Sequence, residues 1–150
     1  MKPYNEEQTK KEQVEQMFDN IAPTYDRLNH ILSFNIDRMW RRRVMRIVRR
    51  SHAQKIMDIA TGTGDLAIAM AKRVDRIQIL GIDLSEEMLR IAQQKIQKQG
   101  LEERIMLEKG DAEDLSMVAS ESVDAVTVAF GVRNFENIER GLSELYRTLK

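Results

Sequence analysis

Between Lys55 and Val74 the chain passes from a short apolar run, through a loop with two glycines, into a helix-favouring segment. That order constrains the fold more than any other feature. Lys55-Ile56-Met57-Asp58-Ile59-Ala60 reads as a buried strand, Thr61-Gly62-Thr63-Gly64-Asp65 as a loop, and Leu66 to Val74 as a helix. The alternation then repeats. Arg76 to Asp83 reads as a second strand. Ser85 is a plausible N-cap, with Glu86 and Glu87 at the positive end of the helix it opens. Met88, Leu89, Ile91, Ala92 and Ile96 form that helix's apolar face, and Gly100 stands where a glycine closes it. Arg104 to Lys109 is a third strand. Ser122 to Phe130 is a fourth, apolar enough to be covered on both faces. Ile138, Leu142, Leu145, Tyr146 and Leu149 mark a last helix. Strands alternating with helices predict an α/β fold: a doubly wound, mostly parallel, Rossmann-like sheet with right-handed crossovers. A fourth strand this apolar calls for a further neighbour, so the chain is expected to stop before the domain is complete.

The first fifty residues differ in character. Glu6 to Ala22 is polar with Val14, Met17, Phe18 and Ile21 at helical spacing, and Pro23 is expected to break or kink that helix. A second helix is expected over Asp37 to Arg50. Its stripe is Ile36, Met39, Trp40, Val44, Ile47 and Val48, and seven arginines (Arg38, Arg41, Arg42, Arg43, Arg46, Arg49, Arg50) cover the rest. The expected organisation is a helical, substrate-side cap over 1–50 and a sheet domain over 51–150. Net charge is zero, yet residues 1–50 hold 11 basic and 7 acidic side chains while 51–150 hold 13 and 17. This balance argues against nucleic acid as a partner and leaves one local basic face. The absence of cysteine excludes disulfides and thiolate metal sites, and no metal is expected. No apolar run approaches a membrane span, and Met1 to Glu6 reads as no secretory signal; a cytoplasmic location is expected.

Gly62-x-Gly64-x-x-Ala67 matches the glycine fingerprint that opens a nucleotide-binding helix, and Asp83 ends the next strand, where an acid accepts hydrogen bonds from ribose hydroxyls. Two ligand classes compete. A dinucleotide would set its pyrophosphate on the loop. S-adenosylmethionine carries ribose and adenine with a cationic ammonium and sulfonium instead. The loop is bracketed by Asp58 and Asp65. At an effective dielectric of about 20, unit charges ~4 Å apart interact by ~4 kcal/mol before desolvation. Two carboxylates therefore favour the cationic methyl donor as cofactor over NAD. Asp111, after the third strand, is placed to accept from the adenine amino group, with Ala112 lining the base pocket. The rival readings are an NAD-dependent oxidoreductase, a non-catalytic cofactor-binding fragment and, on the arginines alone, an RNA methyltransferase.

Two further stretches carry a resemblance. Met17-Phe18-Asp19-Asn20-Ile21-Ala22-Pro23-Thr24-Tyr25-Asp26-Arg27-Leu28-Asn29, with Leu32-Ser33-Phe34 and Trp40-Arg41, and Phe130-Gly131-Val132-Arg133-Asn134 together resemble the quinone-biosynthesis C-methyltransferases of the menaquinone and ubiquinone pathways. The loop Asp58 to Asp65 is shared more widely among class I methyltransferases. The resemblance implies that Thr63, Asp83, Asp111 and Ala112 contact S-adenosyl-L-methionine; Asp58, Thr61, Gly62, Gly64 and Leu84 complete the expected cofactor side. It implies a lipid-soluble quinol substrate, methylated at a ring carbon. Tyr25, Asp26, Asn29, Arg133 and Asn134 stand on the expected substrate side, and His30 is a further candidate base. Ala129 replaces a serine that some members carry, and Asn35 a frequent glycine. The arginine helix suggests peripheral contact with anionic lipid, with Trp40 at the interface. The plainer reading packs Trp40 inward and leaves the arginines solvated.

Overall fold

The computed structural model describes residues 9–32 and 36–150, and their side chains except those of 26–38. The elements are α1 (Lys10–Leu32), α2 (Ile36–Ser51), β1 (Lys55–Ile59), α3 (Asp65–Arg73), β2 (Gln78–Asp83), α4 (Glu86–Lys98), β3 (Ile105–Lys109), β4 (Ala125–Val128), a 3-10 turn (Val132–Asn134) and α5 (Ile138–Thr148).

The strands form one sheet in the order β3-β2-β1-β4, every neighbouring pair parallel. This is the doubly wound arrangement expected from the alternation. β1 shows why its residues make a central strand. Ile56 faces the layer of α2 and α3, beside Met45, Val48 and Ala67, while Met57 and Ile59 face the opposite layer with Phe135 and Leu145. Successive side chains of a strand point to opposite faces, so an uninterrupted apolar run serves both cores.

The helix ends follow local chemistry. The Thr9 amide donates to Glu12 Oε2 at 2.8 Å and the Glu12 amide returns to Thr9 Oγ1 at 3.3 Å, a reciprocal cap that starts α1. Ser85 Oγ accepts the Met88 amide at 3.2 Å, as expected of an N-cap. Gly100 is left-handed, and the amides of Gly100 and Leu101 reach back to the carbonyls of Gln97 and Ile96, closing α4.

Two expectations need correction. α1 does not end at Pro23 but runs through it to Leu32. A proline removes one backbone donor; here α1 packs along α4 and buries Ala22, and that packing holds the helix across the missing bond. The expected start at Glu6 lies outside the described residues. The fourth strand is four residues long and half-buried throughout rather than covered on both faces. Among the described residues it is the sheet's edge, and just before it Val123 forms an isolated parallel bridge with Leu149. Of the two readings of Trp40, the plainer one holds. It packs against the core, meets Phe130 edge-on at 5.5 Å, and carries the Arg41 guanidinium 5.7 Å from its ring centre. Among the described residues, no helix is long and apolar enough to cross a membrane.

Candidate active site

Chain order runs β1, β2, β3 to one side, then returns to place β4 on the other side of β1. In an open parallel sheet, such a reversal leaves a crevice at the carboxyl ends of the strands. A cleft, partly open to solvent, lies there. Its wall takes Ile59 and Ala60 from β1, Ile82 to Ser85 from β2, Gly110 to Glu113 from β3 and Ala129 to Gly131 from β4. α1 closes one side with Lys11, Val14, Glu15, Phe18 and Tyr25.

The expected residues divide into two layers. Gly62, Asp83, Leu84, Asp111 and Ala112 line the cavity, as do Tyr25, Arg133 and Asn134. Asp58, Thr61, Thr63 and Gly64 do not; they form the buried layer behind it. The side chains of Asp26, Asn29 and His30 lie outside the described residues.

The buried layer corrects the electrostatic expectation for the glycine loop. Asp58 is 1% exposed and accepts hydrogen bonds from the hydroxyls of Thr61, at 2.7 Å, and Thr127. Burial pushes its carboxyl up to about 6, against the lowering effect of those two hydroxyls. Asp65 is paired with Lys95 and with Arg41, the latter at 3.3 Å. Neither acid lines the cavity. The negative charge of the cavity comes instead from Glu15, Asp83, Asp111, Glu113 and Glu136, set against Lys11 and Arg133. The wall of the cavity thus holds more carboxylates than cations.

Asp83 organises the mouth. Its Oδ2 accepts the Gly62 amide at 2.7 Å and its Oδ1 the Ser85 amide at 3.0 Å. Burial, the largest influence, raises its carboxyl above the ordinary range despite these bonds. Each carboxylate oxygen has two lone pairs, so both oxygens retain acceptor capacity for a pair of vicinal hydroxyls. The Gly64 amide is likewise engaged, by the Thr61 carbonyl at 3.0 Å. Two amides that a pyrophosphate would need are therefore already used, and carboxylates line the wall. A dinucleotide fits this loop poorly.

Backbone conformation tightens the same region. Ala60 and Phe130, at the ends of the adjacent strands β1 and β4, have φ of 53° and 65°. Left-handed backbone in non-glycine residues is uncommon and gathers at functional sites. Gly131 lies so close to β1 that a Cβ would fall 2.4 Å from that of Ala60.

The chain matches the model of the "ubiE/COQ5 methyltransferase family" over residues 6–150. It belongs to the ubiE/COQ5 methyltransferase family. Within that family it is 51% identical over 150 residues to a demethylmenaquinone methyltransferase of Bacteroides fragilis, covering all of this chain and 61% of that protein. It is 43% identical over 142 residues to a ubiquinone/menaquinone biosynthesis C-methyltransferase UbiE of Geotalea daltonii, covering 94% of this chain and 60% of that one. The chain thus spans about three fifths of the length of these relatives. Among solved structures, a putative S-adenosyl-L-methionine-dependent methyltransferase of Methanococcus maripaludis superposes with a TM-score of 0.66 at 25% identity, over 98% of this chain and 63% of that one. A SAM-dependent methyltransferase of Aquifex aeolicus gives 0.59 at 26% identity, over 65% and 51%. The Rossmann-like fold of this ubiE/COQ5 family chain is that of such methyltransferases.

Sequence reading expected a cap from residues 1–50 and named Tyr25, but it did not find the other α1 residues on the wall. Lys11, Val14, Glu15 and Phe18 share one helix face by their spacing. Nothing local said that this face would turn toward the strand ends. Glu113 and Glu136 were missed for the same reason: they lie in loops whose position only the packed sheet sets.

Proposed function

We propose that the chain binds S-adenosyl-L-methionine in the cavity at the β1/β4 crevice and serves C-methylation of a polyprenyl quinol, demethylmenaquinol to menaquinol. The observation that carries the reading is the pair Asp83 and Asp111, acceptors at successive strand ends in a wall with five carboxylates and two cations. It is supported by the demethylmenaquinone methyltransferase name of the Bacteroides fragilis relative.

In this reading Asp83 accepts from the ribose hydroxyls, and Gly62 lets the ligand approach the main chain. Asp111 accepts from the adenine amino group, and Leu84 and Ala112 supply apolar walls. The bound cofactor supplies a methyl group made electrophilic by its sulfonium. Tyr25, Arg133 and Asn134 stand across the cavity on the quinol side. Phe18, Phe130 and Phe135 make that side apolar, exclude water and orient a flat ring. Loss of the quinol hydroxyl proton enriches the ring carbon that receives the methyl.

Calorimetry with S-adenosylhomocysteine and with NAD tests the cofactor. Uptake of the first and not the second is expected, and the reverse overturns the reading. Transfer of labelled methyl to a short-chain demethylmenaquinol tests the substrate.

Peripheral contact with an anionic bilayer through α2 belongs to the same proposal. Arg42, Arg43, Arg46, Arg49 and Arg50 are exposed, and Met39 and Ile47 stand among them at 69% and 60% exposure. Basic residues with interleaved apolar side chains suit a lipid surface better than nucleic acid. Trp40 joins this helix to Phe130 on the cavity wall. Sedimentation with phosphatidylglycerol vesicles, absent with phosphatidylcholine and lost when Arg43, Arg46 and Arg50 become glutamine, is the expected result. Equal sedimentation of the variant removes the membrane contact.

A further inference from the structure

The contact that closes the cavity on the α1 side falls on Asp111. Lys11 Nζ is ion-paired with Asp111 Oδ2, the two side chains being 38% and 18% exposed. The other carboxylate oxygen, Oδ1, already accepts the Glu113 amide at 3.0 Å. Oδ2 accepts no backbone amide, and an ammonium sits on it. Beside this pair, Lys10 Nζ donates to the Phe135 carbonyl at 2.8 Å.

Farther along, α1 is seated differently. Asp19 Oδ1 accepts from the hydroxyl of Ser85, which is fully buried, and from the Glu87 amide at 3.3 Å. The middle of α1 is thus fastened to the start of α4 through a buried group. Its first turn is fastened by two lysine side chains at the surface.

We propose that the first turn of α1 is a gate on the cavity and that Lys11 is its latch, competing for Asp111 with the amino group of an adenine ring. The competition rests on the reading that the cavity takes an adenosyl ligand; the latch itself does not. An ammonium binds a carboxylate more strongly than a neutral amine does. The latched form therefore lowers observed affinity by the fraction of molecules that are open. A partly exposed pair is weak enough for a ligand to open, and salt screens it.

Lys11→Met removes the charge and keeps the length of the side chain; Lys11→Arg keeps the charge. The Met variant is expected to bind S-adenosylhomocysteine about two- to tenfold more tightly at low salt, with faster association. The difference shrinks at high salt, and the Arg variant stays near wild type. Binding by the Met variant that is unchanged or weaker overturns the competition. Hydrogen exchange measured without ligand tests the gate alone. Faster exchange at the Val14 to Phe18 amides in the Met variant, but not in the Arg variant, supports it. Unchanged exchange overturns it even where the nucleoside binds. Absence of nucleoside binding in every form, with exchange accelerated as stated, leaves the gate standing and overturns the ligand reading.

Discussion

Asp83 accepts the Gly62 amide at 2.7 Å, so the acid that ends β2 holds the glycine loop that follows β1. One side chain thereby sets both the loop's shape and an acceptor on the cavity wall. Asp83→Ala is expected to weaken S-adenosylhomocysteine binding by tenfold or more, because hydrogen bonds to a charged group contribute about 1.5–3 kcal/mol each. Asp83→Asn retains one acceptor and is expected to fall between. Calorimetry checks both; an unchanged Asp83→Ala affinity removes the ribose role.

Asp58 gives a pH dependence with a definite sign. Its carboxyl is pushed up to about 6 in the folded chain, from an ordinary value of 3.8. Between those values the folded state keeps a proton that the unfolded state has released. Asp58 therefore costs stability as pH rises from about 4 to 6, and its contribution is level above that. The loss is on the order of 2–3 kcal/mol. Asp58→Asn cannot titrate. The stability of the variant relative to wild type is expected to rise by that amount over the same window, read from urea unfolding at pH 4, 5, 6 and 7. A constant difference would show that burial does not shift this group.

Gly64 has φ of 79°, and a Cβ there would lie 3.1 Å from the Cβ of Ala92 in α4. The position combines left-handed backbone with close approach of the loop to a helix. Gly64→Ala is expected to cost about 1–3 kcal/mol, seen as a lowered melting temperature. The same substitution at Gly62, also left-handed but with open space around it, is expected to cost less.

On α5, Ile138, Leu142 and Tyr146 are 49%, 50% and 80% exposed and stand four residues apart, one apolar stripe facing outward. Replacing Leu142 with Gln and Tyr146 with Lys is expected to change stability by no more than about 0.5 kcal/mol. It is expected to reduce self-association at high concentration, measured by light scattering. A large loss of stability would mean that this stripe packs in the free chain.

Much of the architecture was legible in the residue order because it rests on local rules. The run Ile56-Met57-Asp58-Ile59 and the glycines after it announce a strand, a loop and a helix wherever they occur. Ser85 and Gly100 mark the ends of α4 because caps satisfy backbone groups within a few residues. The place of Asp83 and Asp111 on the crevice wall was legible because parallel strands bring their carboxyl ends to one edge.

Which carboxylates line the cavity was decided only by packing. Asp58 and Asp65 look like pocket acids in the sequence, yet one is sealed beneath two threonine hydroxyls and the other is neutralised by Lys95 and Arg41. The continuation of α1 through Pro23 and the meeting of Lys11 with Asp111 belong to the same class. Each depends on residues far apart in the chain. Local pattern fixes the strands and loops; the direction of a charge, and whether it is paired, depends on neighbours that only the folded chain brings together.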